Sequence, residues 1–184
     1  MVRADLDLSS DRVQAVIRQS LKFLTGTLHA ERALVLLGQP SWEQFAVVGS
    51  HGIETENFWL SGTVSTEILR RVRSEGVAEL LSDAVESAEY GGRTSVVASG
   101  LRSVLAVPIK DPAQRVIGIL YADSRLASHA FHPQDLQLAL RVAQEAEKTL
   151  FPGPTADEAP RPGPTVAPSP DPPREPPAAP PPPA

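Results

Sequence analysis

Residues 100–123 read GLRSVLAVPIKDPAQRVIGILYAD, and this stretch decides the fold. It divides into two strands and a turn. Val104 and Ala106 alternate with Leu105, Val107 and Ile109 along the first strand. Val116, Gly118 and Leu120 alternate with Ile117, Ile119 and Tyr121 along the second. Strands that are apolar on both faces are buried on both faces. The hairpin therefore belongs in the middle of a covered sheet. Lys110-Asp111-Pro112-Ala113-Gln114 supplies the turn, with Pro112 pre-setting its own φ and Asp111 able to accept from the backbone ahead of it. An α+β fold follows, with helices packed on an antiparallel sheet. Pro108 cannot donate a ladder hydrogen bond and by itself argues against a central strand at that point, while Gly118 implies a close backbone approach.

Toward the N-terminus, Ser9, Ser10 and Asp11 offer caps for a helix. Val13, Val16, Ile17, Leu21, Leu24 and Leu28 then form one apolar stripe, which predicts a helix from Asp11 to Thr27. Arg32 to Leu37 reads as a strand and Trp42 to Val48 as its hairpin partner. Phe58 and Trp59 are expected to anchor the loop that follows. Val64, Ile68, Leu69 and Val72 mark a second helix, capped by Ser61 or Thr63 and closed by Gly76. Val77 to Leu81 reads as a short strand, and Ser82 to Gly100 as an irregular connection of the kind in which small-molecule sites are built. Beyond the hairpin, Pro133 opens a final helix with His132 before it and Asp135 just inside. Leu136, Leu140, Ala143, Ala146 and Leu150 form its inner stripe, and Leu138 and Val142 stand on another face. That second face either widens the core stripe or meets the same helix pair of a second subunit.

Composition bounds the rest. Of the 19 prolines, 15 lie after Leu150. Such a segment has too little apolar surface to offset the entropy of ordering. Residues 1–150 are thus expected to be one domain and 151–184 a disordered proline-rich tail. The chain has no cysteine, which removes disulfides, thiolate catalysis and zinc–thiolate sites. MVRADLDLSS at the start has no apolar run, and no stretch reaches the ~18 apolar residues of a membrane span. A cytoplasmic protein that does not engage membranes is expected. The formal net charge is −5 with no strong basic cluster, which disfavours nucleic acid as a partner.

Several segments together resemble a GAF domain: SGTVSTEILRRVRSEGVAELLSDA, SVVASGLRSVLAVPI, RVIGILYADSR and FHPQDLQLALRVAQEA. The resemblance spans about residues 8–150 and is strongest at Gly100–Asp123. Similar proteins carry proline at the place of Pro108, which implies a bulge or strand end there. It implies a GAF/PAS-like central antiparallel sheet of five to six strands, with the terminal helices on one face and short helices and loops on the other. It further implies a stand-alone regulatory module of bacterial signalling that binds a small molecule or a protein, as a homodimer through its terminal helices. The dimer surface expected on that basis comprises Val13, Ile17, Leu24, Leu138 and Val142. In the family the pocket lies between one sheet face and the irregular connection. Here that points to Asp83, Tyr90, Arg93, Ser95, Arg102 and Tyr121. Arg93 or Arg102 can hold an anionic group bidentately. The plainer reading is that Arg102 pairs with Asp83 or Asp123 to brace the fold.

No cofactor is implied. The cyclic-nucleotide members carry an Asn-Lys…Phe…Asp-Glu set that is absent here, and the bilin-attaching and methionine-sulfoxide-reductase members need cysteine. His29, His51, His129 and His132 are the four histidines, and nothing in their spacing completes a metal site. No Gly-x-Ser-x-Gly elbow or phosphate loop is present. The expectation is a non-enzymatic sensor or adaptor with no catalytic residues. The alternative is an inert scaffold whose proline-rich tail recruits partners.

Overall fold

The computed structural model describes residues 6–152 except 42, 57–58, 60–63, 85 and 88–99. In chain order the elements are α1 (Asp11–Lys22), β1 (Arg32–Leu37), β2 (Ala46–His51), α2 (Thr66–Glu75), β3 (Glu79–Leu81), β4 (Ser103–Lys110), β5 (Val116–Ser124) and α3 (Pro133–Leu150). The five strands form one antiparallel sheet in the order β2-β1-β5-β4-β3. β5 is central and buried along its whole length, and β4 is buried except at Lys110.

Both faces are covered, as the two-sided apolar pattern requires. On one face α1 and α3 contribute Val13, Val16, Ile17, Ala139, Ala143 and Ala146 against Val35, Leu105, Val107, Leu120 and Ala122. On the other, Ile68, Leu69 and Val72 of α2 meet Leu34, Leu36, Val104, Ala106, Ile119 and Tyr121.

The turn between β4 and β5 is built on Asp111. Its Oδ1 accepts from the backbone N–H of Ala113 and of Arg115, both at 2.9 Å, and its Oδ2 accepts from Arg115 Nε at 2.8 Å. Gln114 closes the loop at φ 62°. Just inside the turn, Ile109 faces Gly118 and Lys110 faces Val116, so Ile117 is the extra residue of a bulge. The bulge sits next to Pro108 rather than at it. Pro108 pairs with Ile119 of β5, and on its other side β3 begins opposite Ala106 and runs away from the proline. Among the described residues no strand flanks the proline there, so its missing donor breaks no ladder on that side. At the bulge, the Lys110 N–H donates to Glu147 Oε1 of α3 at 2.7 Å.

Several local expectations are corrected. α1 does not run regularly to Thr27: after Lys22 it loosens into one π turn, Phe23–Thr27, closed by the Leu28 N–H on the Phe23 carbonyl. β2 starts at Ala46 rather than Trp42 and continues through His51; Trp42 lies outside the described residues. Phe45 precedes β2 and is buried, and Trp59 Nε1 donates to its carbonyl at 3.2 Å, so Trp59 does anchor its loop. Phe58 lies outside the described residues. α2 is capped by Ser65, whose Oγ accepts from Ile68 N; Ser61 and Thr63 fall outside the described residues. β3 covers Glu79–Leu81 only, and Val77 is exposed.

The inner stripe of α3 is made of alanines. Ala139, Ala143 and Ala146 are buried, while Leu136, Leu140 and Leu150 pack half-buried beside them. Small residues let the helix axis approach the sheet closely. Val13, Ile17 and Leu24, expected on a dimer surface, are instead buried in this core.

The tightest approach is at Gly118, where a Cβ would stand 2.5 Å from Leu37 Cδ2 and 2.7 Å from the Leu36 carbonyl oxygen. Gly118→Ala is expected to lose about 1–3 kcal/mol of stability in urea unfolding, because backbone cannot move aside as a side chain can. Gly26, in the π turn, has nothing within 4 Å of its Cβ position, so Gly26→Ala should leave the midpoint nearly unchanged. Equal losses at the two sites would contradict the packing described.

Candidate functional site

Two charged side chains lie inside the apolar sheet on the α2 side. Arg32 opens β1 and Asp123 nearly ends β5, and the two are direct cross-strand partners. Asp123 is fully buried and Arg32 is 6% exposed. Their contact is bidentate: Nε to Oδ1 and Nη2 to Oδ2, each at 2.6 Å. Tyr121 lies two residues before Asp123 on the same face, and its hydroxyl donates to Asp123 Oδ2 at 2.7 Å. Burial pushes the Asp123 carboxyl above its ordinary value, with Arg32 and Tyr121 opposing the rise. Burial and the neighbouring Asp123 also raise the Tyr121 phenol well above its ordinary value, so it remains a neutral donor. A carboxylate holding three donors is a brace and has no accessible valence for a ligand.

Next to this brace the strand ends are tied down by Glu31. Its Oε2 accepts from Ser124 Oγ at 2.9 Å and from the N–H groups of Arg125 and Leu126 at 3.0 and 3.3 Å. Burial raises the Glu31 carboxyl, but these bonds outweigh it and hold the group below its ordinary value.

The irregular connection begins and ends at one ion pair. Arg102 Nη2 donates to Asp83 Oδ2 at 3.1 Å, with the Arg102 side chain 42% exposed and that of Asp83 9% exposed. Asp83 Oδ1 also accepts from Glu86 N, and Ala84 N donates to the Arg102 carbonyl at 2.7 Å. Asp83 and Arg102 are therefore brought together as a clasp, in the bracing contact set out as the plainer reading. Asp123 takes Arg32 instead. Tyr121, expected at the pocket wall, is fully buried with its hydroxyl engaged. Tyr90, Arg93 and Ser95 lie outside the described residues.

Of the expected dimer surface, Leu138 is 40% exposed. Val142 is half-buried and lines a groove of about 210 Å³ between α1 and α3, with Val16, Phe23 and Ala146. His132 caps α3, its backbone N–H donating to Asp135 Oδ2 at 2.8 Å. Among the described residues no three His, Cys, Asp or Glu side chains are grouped to hold a metal ion, and no helix is long and apolar enough to cross a membrane.

The GAF domain family model matches residues 12–150. No curated protein is detectably similar to the chain. Among solved structures, a GAF domain/HD domain protein from Geobacter sulfurreducens is 17% identical, with a TM-score of 0.55 over 76% of this chain and 92% of that one. A methyl-accepting chemotaxis protein is 16% identical, with a TM-score of 0.54 over 80% of this chain and 90% of that one. Free methionine-R-sulfoxide reductase from Neisseria meningitidis is 17% identical, with a TM-score of 0.54 over 76% of this chain and 78% of that one. These likenesses show the fold.

Asp123→Ala leaves the Arg32 charge buried and alone, and should lose about 3–5 kcal/mol in denaturant unfolding. Tyr121→Phe should lose about 1–2 kcal/mol. Arg32→Met combined with Asp123→Leu should lose less than Asp123→Ala by itself; a larger loss would show that the pair is not the coupled unit described.

Glu31 and Asp111 both titrate below their ordinary values of 4.5 and 3.8. For Asp111, burial raises the carboxyl, and the bonds and charge of Arg115 outweigh it. A lowered folded value gives stability that is complete above the unfolded value and is lost as pH falls through the folded one. Glu31→Gln should thus flatten the acid limb of a melting-temperature profile below about pH 4.5; an unchanged limb would mean that the Glu31 bonds do not persist in solution.

Proposed function

The chain belongs to the GAF domain family, and on that premise we propose that it is a non-enzymatic regulatory sensor or adaptor of bacterial signal transduction. It takes up a small molecule or a signalling protein on the α2 side of its sheet, as a cytoplasmic homodimer. GAF domains are typically regulatory sensor domains. The observation that carries the reading is the clasp of Asp83 and Arg102 at the two ends of the 82–100 connection. It leaves a half-exposed guanidinium at the mouth of that connection. Such a group reads a carboxylate or phosphate on an incoming molecule. Tyr90, Arg93 and Ser95, which the sequence adds to the proposed pocket, lie outside the described residues. The lack of cysteine separates the chain from the sulfoxide-reductase members.

The dimer surface proposed is the exposed face of α3 at Leu138, continued by Val142 and the groove beside α1. Val13, Ile17 and Leu24 support it from within the core and make no part of it. The proline-rich segment after Leu150 favours a second reading, in which that segment recruits partners and the domain is their scaffold.

The test is thermal unfolding of the full chain against a panel of anionic metabolites. A binder present at about 100 times its Kd should add about 2.7 kcal/mol of stability, and Arg102→Ala should remove most of that gain. A stabilising compound unaffected by Arg102→Ala and Asp83→Ala would overturn the assigned pocket, and turnover of the compound would overturn the non-enzymatic reading. Sedimentation should give a dimer at high micromolar concentration that Leu138→Asp converts to a monomer.

A further inference from the structure

A second polar basin lies at the hairpin end of the sheet, lined by residues that the proposed pocket does not use. It has a volume of about 270 Å³ and is lined by Arg73 near the end of α2, Lys110 at the end of β4 and Arg115 in the turn before β5. We propose that this basin is a binding site for a tetrahedral oxyanion, that is, a phosphate group either free or carried on a partner's side chain.

Three observations carry it. The first is charge. Three cations line the basin; the carboxylates beside them are Glu75, paired with Arg71 at 3.1 Å, and Asp111, paired with Arg115, so a positive excess remains. The chain as a whole carries a net charge of −5, so the basin is a local reversal of sign.

The second is preorganisation. Arg73 Nη1 donates to the Glu43 carbonyl, and its guanidinium carbon stands 4.7 Å over the centroid of Phe45. Arg115 is held by Asp111 through Nη2 at 2.6 Å and Nε at 2.8 Å, and its side chain is still 52% exposed. Two guanidinium planes are thus fixed before any anion arrives, which lowers the entropy lost on binding.

The third is Lys110. Its side chain lies across Gly76, with Nζ 3.5 Å from the position of a Cβ there, and its ammonium has no carboxylate partner among the described residues. Gly76 takes φ 65° as the C-cap of α2, so the chain turns away and leaves the ammonium facing the basin. Donors from three elements converge on one volume, which suits an anion with several acceptor oxygens.

The site is independent of the proposed sensor pocket and is tested separately. Backbone amide NMR of the full chain would be followed on addition of sodium phosphate at constant ionic strength, with chloride as the control. Saturating shifts confined to Gly76, Lys110 and Arg115 and their neighbours are expected. Lys110→Gln should weaken binding by roughly fivefold, the scale of one partly exposed ion pair, with little change in melting temperature because its side chain braces nothing. Arg115→Gln is the second variant, expected to weaken binding in the same direction while also loosening the turn. A phosphoserine peptide that binds more tightly than inorganic phosphate would assign the basin to a partner's side chain, and equal affinity would assign it to the free ion. Linear shifts spread over all basic residues, shifts reproduced by chloride, or binding unaltered in both variants would mean an adventitious ion only and would overturn the proposal.

Discussion

The constraint on which the structure depends is that its central strand has no wet face. β5 is buried from Val116 to Ser124, with neighbours on both edges and helices above and below. Every backbone group of that strand must find its partner within the protein, because water does not reach it. Each apolar side chain on either face must also meet a covering element. One helix layer would leave Leu34, Leu36, Ile119 and Tyr121 exposed, or else Leu105, Val107 and Leu120. The three-layer arrangement follows from that requirement.

Against this background the Arg32–Asp123–Tyr121 cluster is costly and specific. A well-packed apolar trio of the same volume would often be as stable or more so. What the charged trio adds is register. Slipping β1 against β5 by one residue would send Arg32 and Asp123 to opposite faces, each a buried charge without a partner. The cluster therefore selects one pairing of two strands that are otherwise runs of interchangeable aliphatic residues.

Much of this is legible in the sequence. The two long strands, the Asp111 turn, the glycine that ends α2 and the proline that opens α3 all follow from local rules, because each is decided by neighbours a few residues away. On α3 the expected stripe holds at Ala143 and Ala146 and shifts at its N-terminal half. Ala139 takes the buried place that Leu136 and Leu140 suggest for themselves, since what decides is how near the helix must come to the sheet. β2 starts later than the pattern implies because Phe45, apolar and buried, packs into the core ahead of the strand and not as part of it. At the candidate site, a lone Arg opening one apolar strand and a lone Asp closing another are a readable signal for a buried pair. Which arginine meets which aspartate is a fact of three dimensions: the sequence offers Arg102 to Asp83 or Asp123, and the register of β1 against β5 gives Asp123 to Arg32. The cationic basin is invisible for the same reason: Arg73, Lys110 and Arg115 are scattered along the chain and meet only because the C-cap of α2 lies beside the hairpin turn.

The Glu147 carboxylate that accepts the Lys110 N–H gives the terminal helix an unusual form of attachment. A row of alanines is a smooth bearing with little relief to resist axial sliding, whereas a side chain hooked into a strand defect is a pin. Displacing α3 by a single helical rise, about 1.5 Å, would pull that pin and leave a strand amide unsatisfied at the bulge. Motion at the end of the domain is thereby wired mechanically to the tip of its central hairpin, and a twist applied to one would be felt at the other as a lost bond.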